Sequence, residues 1–301
     1  METITAVFTH NVVPLFLEPS GSSEQVSQGL LGDTVHVVEA RDAYVNVRTA
    51  DDYTGWVRAI HLRRLDRPDA FQRMAATYPN ARPHAVECAF AAVWDAPDRV
   101  RLRTKLVWGS RITVLETIAH RTGAYALALL PAGSYYDSVL PPFSFGYLLA
   151  ETLEQPAPAA DFYPEAACEL AHRYIGTPYL WGGGTPFGFD CSGFVQRLYA
   201  VLGICLPRDA YLQARSPLGK FREPGKALRA GDLVFFGGRS DPRQRGITHV
   251  GMALDNRQFI HASGPTGVTV SALADSEVQG AYSYRGSWRC TAPRAKTTGK
   301  V

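Results

Sequence analysis

Three residues of this chain could together carry covalent catalysis: Cys191, His249 and His261. A cysteine attacks as its thiolate, a neutral imidazole removes its proton, and a third polar group holds that imidazole in one tautomer. Cys191 follows the glycine-rich run Tyr179-Leu-Trp-Gly-Gly-Gly184 and stands just before Phe194, Val195, Leu198, Val201 and Leu202, which recur at helical steps until Gly203. This spacing predicts a helix with Cys191 in its first turn and Asp190 as its N-cap. Unpaired N–H groups and the positive end of the helix dipole predict a lowered thiol pKa. The Asp190 carboxylate would raise it unless its charge goes into capping. Taken alone, a cysteine such as Cys191 is most often a small buried hydrophobe.

The histidines must be positioned by strands. In Ile247-Thr-His-Val-Gly-Met-Ala-Leu254 the apolar residues alternate with His249, Gly251 and Ala253, predicting a half-buried strand whose histidine faces open space. Asp255-Asn-Arg257 reads as a hairpin turn before Gln258-Phe-Ile-His-Ala-Ser263. A loop centred on Asp255 places His249 directly opposite His261, with Cβ atoms about 4.5–5.5 Å apart.

Six motifs in order, Gly176-Thr-Pro-Tyr-Leu-Trp-Gly-Gly-Gly184, Asp190-Cys-Ser-Gly-Phe194, Leu206-Pro-Arg-Asp209, Gly231-Asp-Leu-Val-Phe-Phe236, Thr248-His-Val-Gly251 and Phe259-Ile-His-Ala262, resemble the NlpC/p60 cysteine peptidases. The resemblance covers about the C-terminal half. It implies an α+β, papain-like catalytic domain that cleaves γ-D-glutamyl bonds of peptidoglycan peptides, with Cys191 the nucleophile, His249 the base and His261 the third residue. It implies no metal and no cofactor. Tyr179 would lie beside the nucleophile, its hydroxyl assisting the Cys191 N–H at the oxyanion, with Trp181 on the same loop; core packing is the alternative for both. Ser192 and Asp190 would line the substrate site, Ser192 binding a carboxylate at the helix N-terminus or serving only the helix start. Asp209 either caps the helix after it or pairs with the free α-ammonium of an N-terminal L-Ala, as in members that recycle released murein peptides.

Residues 1–66 alternate short β-like runs with turns, and Gly32-Asp-Thr-Val-His-Val-Val38 with Tyr53-Thr-Gly-Trp-Val57 resembles a bacterial SH3-like domain, expected as a small β-barrel. Tyr53, before Gly55-Trp56, and Glu18 are expected to cover the amine end of the peptide, with barrel packing and solvent exposure as their respective alternatives. Residues 67–82 read as a linker or short helix and 83–153 as a divergent second SH3-like barrel. The Pro/Ala-rich stretch Glu154–Ala160 opens the catalytic domain, 154–301.

Composition bounds the alternatives. With 301 residues, 46% hydrophobic, the chain can fill two or three domains. The net charge of +3 comes without a long single-sign run, which argues against nucleic-acid or membrane partners. The partner implied is a small murein peptide; oligomeric state is not legible. The N-terminal residues lack a signal-peptide pattern, and five cysteines, an odd number without zinc spacing, fit a reducing compartment, so the expected location is cytoplasmic. A wall-directed hydrolase, a peptidoglycan-binding module and a Cys/His acyltransferase are the competing functions.

Overall fold

A computed structural model describes residues 4–137, 141–153, 164–237, 246–274 and 283–291. The Pro/Ala-rich boundary at 154–160 lies outside them. The chain divides into two compact units, Met1–Ala157 and Pro158–Val301.

The first unit holds two antiparallel sheets. One comprises β1 (Thr5–Phe8), β2 (Val12–Phe16), β3 (Gln25–Leu30), β4 (Thr34–Arg41), β5 (Tyr44–Arg48), β6 (Thr54–Arg58) and β7 (Leu62–Leu65), in the order β3-β2-β6-β5-β4-β1-β7. Its core, including Phe8, Val13, Leu15, Val45, Val47 and Val57, comes from the alternating residues that define the strands. After α1 (Ala70–Ala75), the second sheet comprises β8 (Arg82–Ala85), β9 (Phe90–Trp94), β10 (Leu102–Val107), β11 (Arg111–His120), β12 (Gly123–Pro131) and β13 (Phe143–Leu149), in the order β10-β9-β13-β12-β11-β8. The barrel expectation is corrected here: among the described residues no pairing joins β3 to β7 or β10 to β8, so both sheets are open. Segment 67–82 is more than a tether. Phe71, Met74 and Tyr78 pack on Leu115, Leu127 and Leu129 of the second sheet, half-burying the apolar side of α1.

The second unit positions the candidate site. It contains α2 (Pro164–His172), the short hairpin β14 (Gly184–Thr185) and β15 (Gly188–Phe189), α3 (Cys191–Val201), α4 (Ala210–Gln213), and the strands β16 (Gly219–Arg222), β17 (Leu233–Gly237), β18 (His249–Ala253), β19 (Gln258–Ser263), β20 (Gly267–Ala272) and β21 (Ser283–Cys290). The six strands form one antiparallel sheet in the order β16-β21-β17-β18-β19-β20, with α3 packed on β18 and β19. Every residue of β18 is buried. The expected open face is therefore covered: Phe236 lies opposite His249 on β17, and its ring packs on the imidazole and on Phe259.

The β18–β19 register also differs from expectation. Met252 pairs with Ile260 and Ala253 with Phe259, because the turn takes in Leu254 as well as Asp255, Asn256 and Arg257. Asp255 closes it by accepting from the N–H groups of Arg257 and Gln258. Continuing this register places His261 across from Gly251, two residues beyond His249. A shift of two keeps the face unchanged, whereas a shift of one would reverse it. The rings then meet diagonally, a separation long side chains span. Gly251 makes room for this: a Cβ there would lie 2.7 Å from the Phe259 ring, 2.9 Å from the Ile260 carbonyl oxygen and 3.1 Å from the His261 Cβ. We expect Gly251→Ala to force the hairpin apart and cost about 1–3 kcal/mol, read as a lowered urea midpoint. An unchanged midpoint would contradict the crowding.

Candidate active site

The nucleophile candidate starts a helix as its residue pattern requires. Asp190 has extended backbone, and its Oδ1 accepts from the Gly193 N–H at 2.6 Å, fulfilling the capping expectation. Gly193 lets this turn nestle against the glycine-rich loop: its Cβ would fall 2.1 Å from the Gly183 carbonyl oxygen, which also accepts from the Asp190 N–H. The first N–H groups of a helix have no intrahelical acceptor. Here the N–H of Ser192 and that of Val250 on β18 are directed at the Cys191 sulfur. Val250 follows His249 in the chain, so the residue that donates to the thiol is the neighbour of the histidine on the same strand.

Burial overturns the expected low thiol pKa. Cys191 is 8% exposed, and its pKa is pushed up to about 12, first by desolvation and then by the Asp190 carboxylate. The Val250 N–H, the Arg208 guanidinium and the Ser192 N–H oppose this and lose. On the other side, burial and then His261 push His249 down to about 3, and burial pushes His261 down to about 4. The resting pair near neutral pH is thus a thiol and a neutral imidazole. His249 Nε2 and His261 Nδ1 are 2.7 Å apart, which leaves His249 Nδ1 as the ring nitrogen not engaged by His261. His261 Nε2 in turn lies 2.9 Å from Ser271 Oγ.

A second cluster was not legible as such. Arg208, 3% exposed, donates to both carboxylate oxygens of Asp190, at 3.1 and 2.5 Å, and to Ser192 Oγ at 2.9 Å. Ser192 Oγ donates to Asp190 Oδ1. Its hydroxyl is thus engaged inside the protein, at the start of the helix. Gln213 Nε2 donates to the carbonyl oxygens of Ser192 and Pro207, tying the Leu206–Asp209 loop to the nucleophile helix. Arg208 stood in a quoted motif, but nothing in its type announced its partner eighteen residues away. Gln213 and Ser271 carried no signal.

The other nominated residues are placed as follows. Asp209 is half-buried at the N-cap position of α4 and makes no side-chain cap bond to that helix, so capping is not its role. Tyr179 is half-buried beside Phe189, with which it forms an isolated bridge. Trp181 is 61% exposed, which removes the core alternative for it. Tyr53 is half-buried just before β6, its carbonyl accepting from Thr49, and Glu18 is exposed between β2 and β3; both belong to the first unit. Among the described residues, no group of three or more His, Cys, Asp or Glu could hold a metal ion, and no helix is long and apolar enough to cross a membrane.

Residues 176–285 match the NlpC/P60 family and residues 15–62 the bacterial dipeptidyl-peptidase SH3 domain. The chain thus carries an NlpC/P60 domain behind an SH3 domain of that type. It is 28% identical to a gamma-D-glutamyl-L-lysine dipeptidyl-peptidase of Bacillus cereus over 78% of its own length and 66% of that protein. It is 26% identical to dipeptidyl-peptidase 6 of Lysinibacillus sphaericus over 90% and 92% of the two chains. It thus spans just under two thirds of the first relative and nearly all of the second. In fold it is similar to a crystal structure of an NlpC/P60 family protein from Bacillus cereus, with a TM-score of 0.73 at 20% identity, covering 95% of this chain and 99% of that one.

Two measurements follow from the buried charges. Removing Arg208 strands the Asp190 carboxylate, so Arg208→Met should destabilise the chain by about 3–5 kcal/mol, the cost of breaking a buried pair. The double variant Asp190→Asn, Arg208→Met keeps an N-cap and loses the stranded charge, so its urea midpoint should recover most of that loss. The histidines act on acid stability. In the unfolded chain each takes up a proton below its ordinary value of 6.5, whereas the native state refuses it until about 4 and about 3. Stability should therefore fall as pH drops from about 6.5 towards 4, with an uptake of about two protons from this pair, and His261→Phe should reduce that uptake by about one.

Proposed function

We propose that this chain is a cysteine endopeptidase that hydrolyses the bond between γ-D-Glu and the diamino acid of murein peptides carrying a free N-terminal L-Ala. The observation that carries the reading is the packing of the helix that Cys191 opens on the two strands that bear the hydrogen-bonded His249–His261 pair. The bond assignment is supported by the relative named gamma-D-glutamyl-L-lysine dipeptidyl-peptidase.

Because both partners are neutral at rest, the first step is proton transfer from Cys191 Sγ to His249 as the sulfur attacks the γ-carbonyl carbon. The Val250 and Ser192 N–H groups stabilise the sulfur as its charge develops. The carbonyl oxygen becomes an oxyanion, for which the Cys191 N–H, in the first helical turn, is the backbone donor and the Tyr179 hydroxyl the second. His249, now an imidazolium, protonates the departing amine of the diamino acid. It then takes a proton from water, which attacks the thioester and releases L-Ala-D-Glu and the thiol.

Asp209 supplies the carboxylate for the free α-ammonium of L-Ala. Its half-buried position, next to the anchored Arg208, supports this, since a partly desolvated charge discriminates strongly against an acylated amine. Tyr53, Glu18 and Trp181 are proposed as further contributors to recognition. A peptide with a free amine is a fragment already released from the wall, so the role is recycling, and the odd cysteine count supports a cytoplasmic setting. The test is mass-spectrometric product analysis on L-Ala-γ-D-Glu-diaminopimelate and on L-Ala-γ-D-Glu-L-Lys, each with and without N-acetylation. Only the free-amine peptides should be cleaved, Cys191→Ala should abolish cleavage, and Asp209→Ala should cut kcat/KM at least tenfold by removing a charge-assisted contact. Equal cleavage of the acetylated peptides would point instead to a wall-directed hydrolase.

A further inference from the structure

The histidine relay continues to a third strand. β20 pairs antiparallel with β19, Thr269 standing opposite His261 and Ser271 opposite Phe259. Ser271 is therefore diagonal to His261, two residues beyond the directly opposed position, as His249 is on the other side. His249, His261 and Ser271 form a slanted row across β18, β19 and β20, on one face of the sheet, joined at 2.7 and 2.9 Å.

A neutral imidazole carries one N–H and one lone pair. With two neutral rings in series, the direction of the hydrogen bonds is a single choice between two arrangements. If Ser271 Oγ donates to His261 Nε2, the His261 proton sits on Nδ1 and is given to His249 Nε2. His249 then holds its own proton on Nδ1 and has no lone pair left for a thiol proton. If Ser271 Oγ accepts from His261 Nε2–H, every bond reverses: His249 Nε2–H donates to His261 Nδ1, and His249 Nδ1 carries the lone pair a general base needs. A hydroxyl oxygen can fill either part, so its acceptance is the state the reaction requires.

We infer that Ser271 is a positioning residue for the reaction: as the hydrogen-bond acceptor of His261 Nε2–H, it fixes the tautomers of His261 and, through it, of His249. The inference rests on the proposed role of His249 as base. Ser271 touches neither the sulfur nor the ring that takes its proton; it acts through His261.

The test separates this claim from the peptidase reading, because tautomers are read without turnover. In the full chain labelled with [15N]histidine, at pH 7.5, His261 and His249 should each show a protonated Nε2 and an unprotonated Nδ1. In Ser271→Val, and in Ser271→Ala as a smaller alternative, His261 should show mixed tautomers. On the free-amine peptide, kcat should fall about 2- to 10-fold at unchanged KM, the loss of one net hydrogen bond. Ser271→Thr, equal in shape to the valine variant but keeping the hydroxyl, should restore both. A wild-type His261 protonated at Nδ1 would overturn the inference, as would a Ser271→Val protein with unmixed tautomers and full kcat, or a threonine variant as impaired as valine. If the chain cleaves none of the peptides, the labelled spectra alone decide.

Discussion

The start of α3 and the start of β18 are both closed to water, which buries a thiol and an imidazole at once, and most of the site's properties follow from that exclusion. Desolvation disfavours charge on either group, so the ground state is neutral despite a helix N-terminus, two N–H donors and a nearby guanidinium, all of which favour a thiolate. Those donors are not wasted. Fixed dipoles around the sulfur need no reorganisation when charge appears on it, so they act on the attacking state more than on the resting one. A buried thiol that ionises only as it reacts is also protected from the oxidation to which exposed thiolates are prone.

This arrangement requires its neighbours to be held tightly. Asp190 has three tasks: it caps α3 through Gly193, receives Ser192 Oγ and binds Arg208 with both oxygens. A buried ion pair of this kind adds little net stability, since desolving two ions offsets their attraction. Its consequence is geometric. Through Arg208 and Gln213 the loop that carries Asp209 is fixed to the same helix turn as the nucleophile, so a residue proposed for substrate recognition and the reacting sulfur share one anchor.

Local chemistry was readable from the sequence, and long-range consequences were not. The cap at Asp190 and the helix from Cys191 follow from spacing within a dozen residues. That His249 and His261 share a face also follows, because any even shift of register preserves it. The register itself does not follow, since nothing in the apolar Leu254 marks it as part of the turn. The alternation around His249 suggested an exposed face because Phe236 and Phe259, which cover it, come from other strands. The sign of the thiol shift was missed for the same reason: helix position is local, whereas desolvation depends on what the rest of the chain brings. In the first unit, strand spacing suggests closed barrels but does not determine whether the edge strands meet, and the sheets are open.

Burial, not the helix N-terminus, sets the resting state of Cys191. The most direct measurement is the rate at which iodoacetamide alkylates Cys191 in the substrate-free chain, followed by mass spectrometry of the peptide containing it, from pH 5 to 10.5. A neutral thiol–imidazole pair predicts slow alkylation at neutral pH that climbs through the whole range without a plateau. A rate already at plateau at pH 7, falling only in acid, would show a preformed thiolate–imidazolium pair and contradict the account.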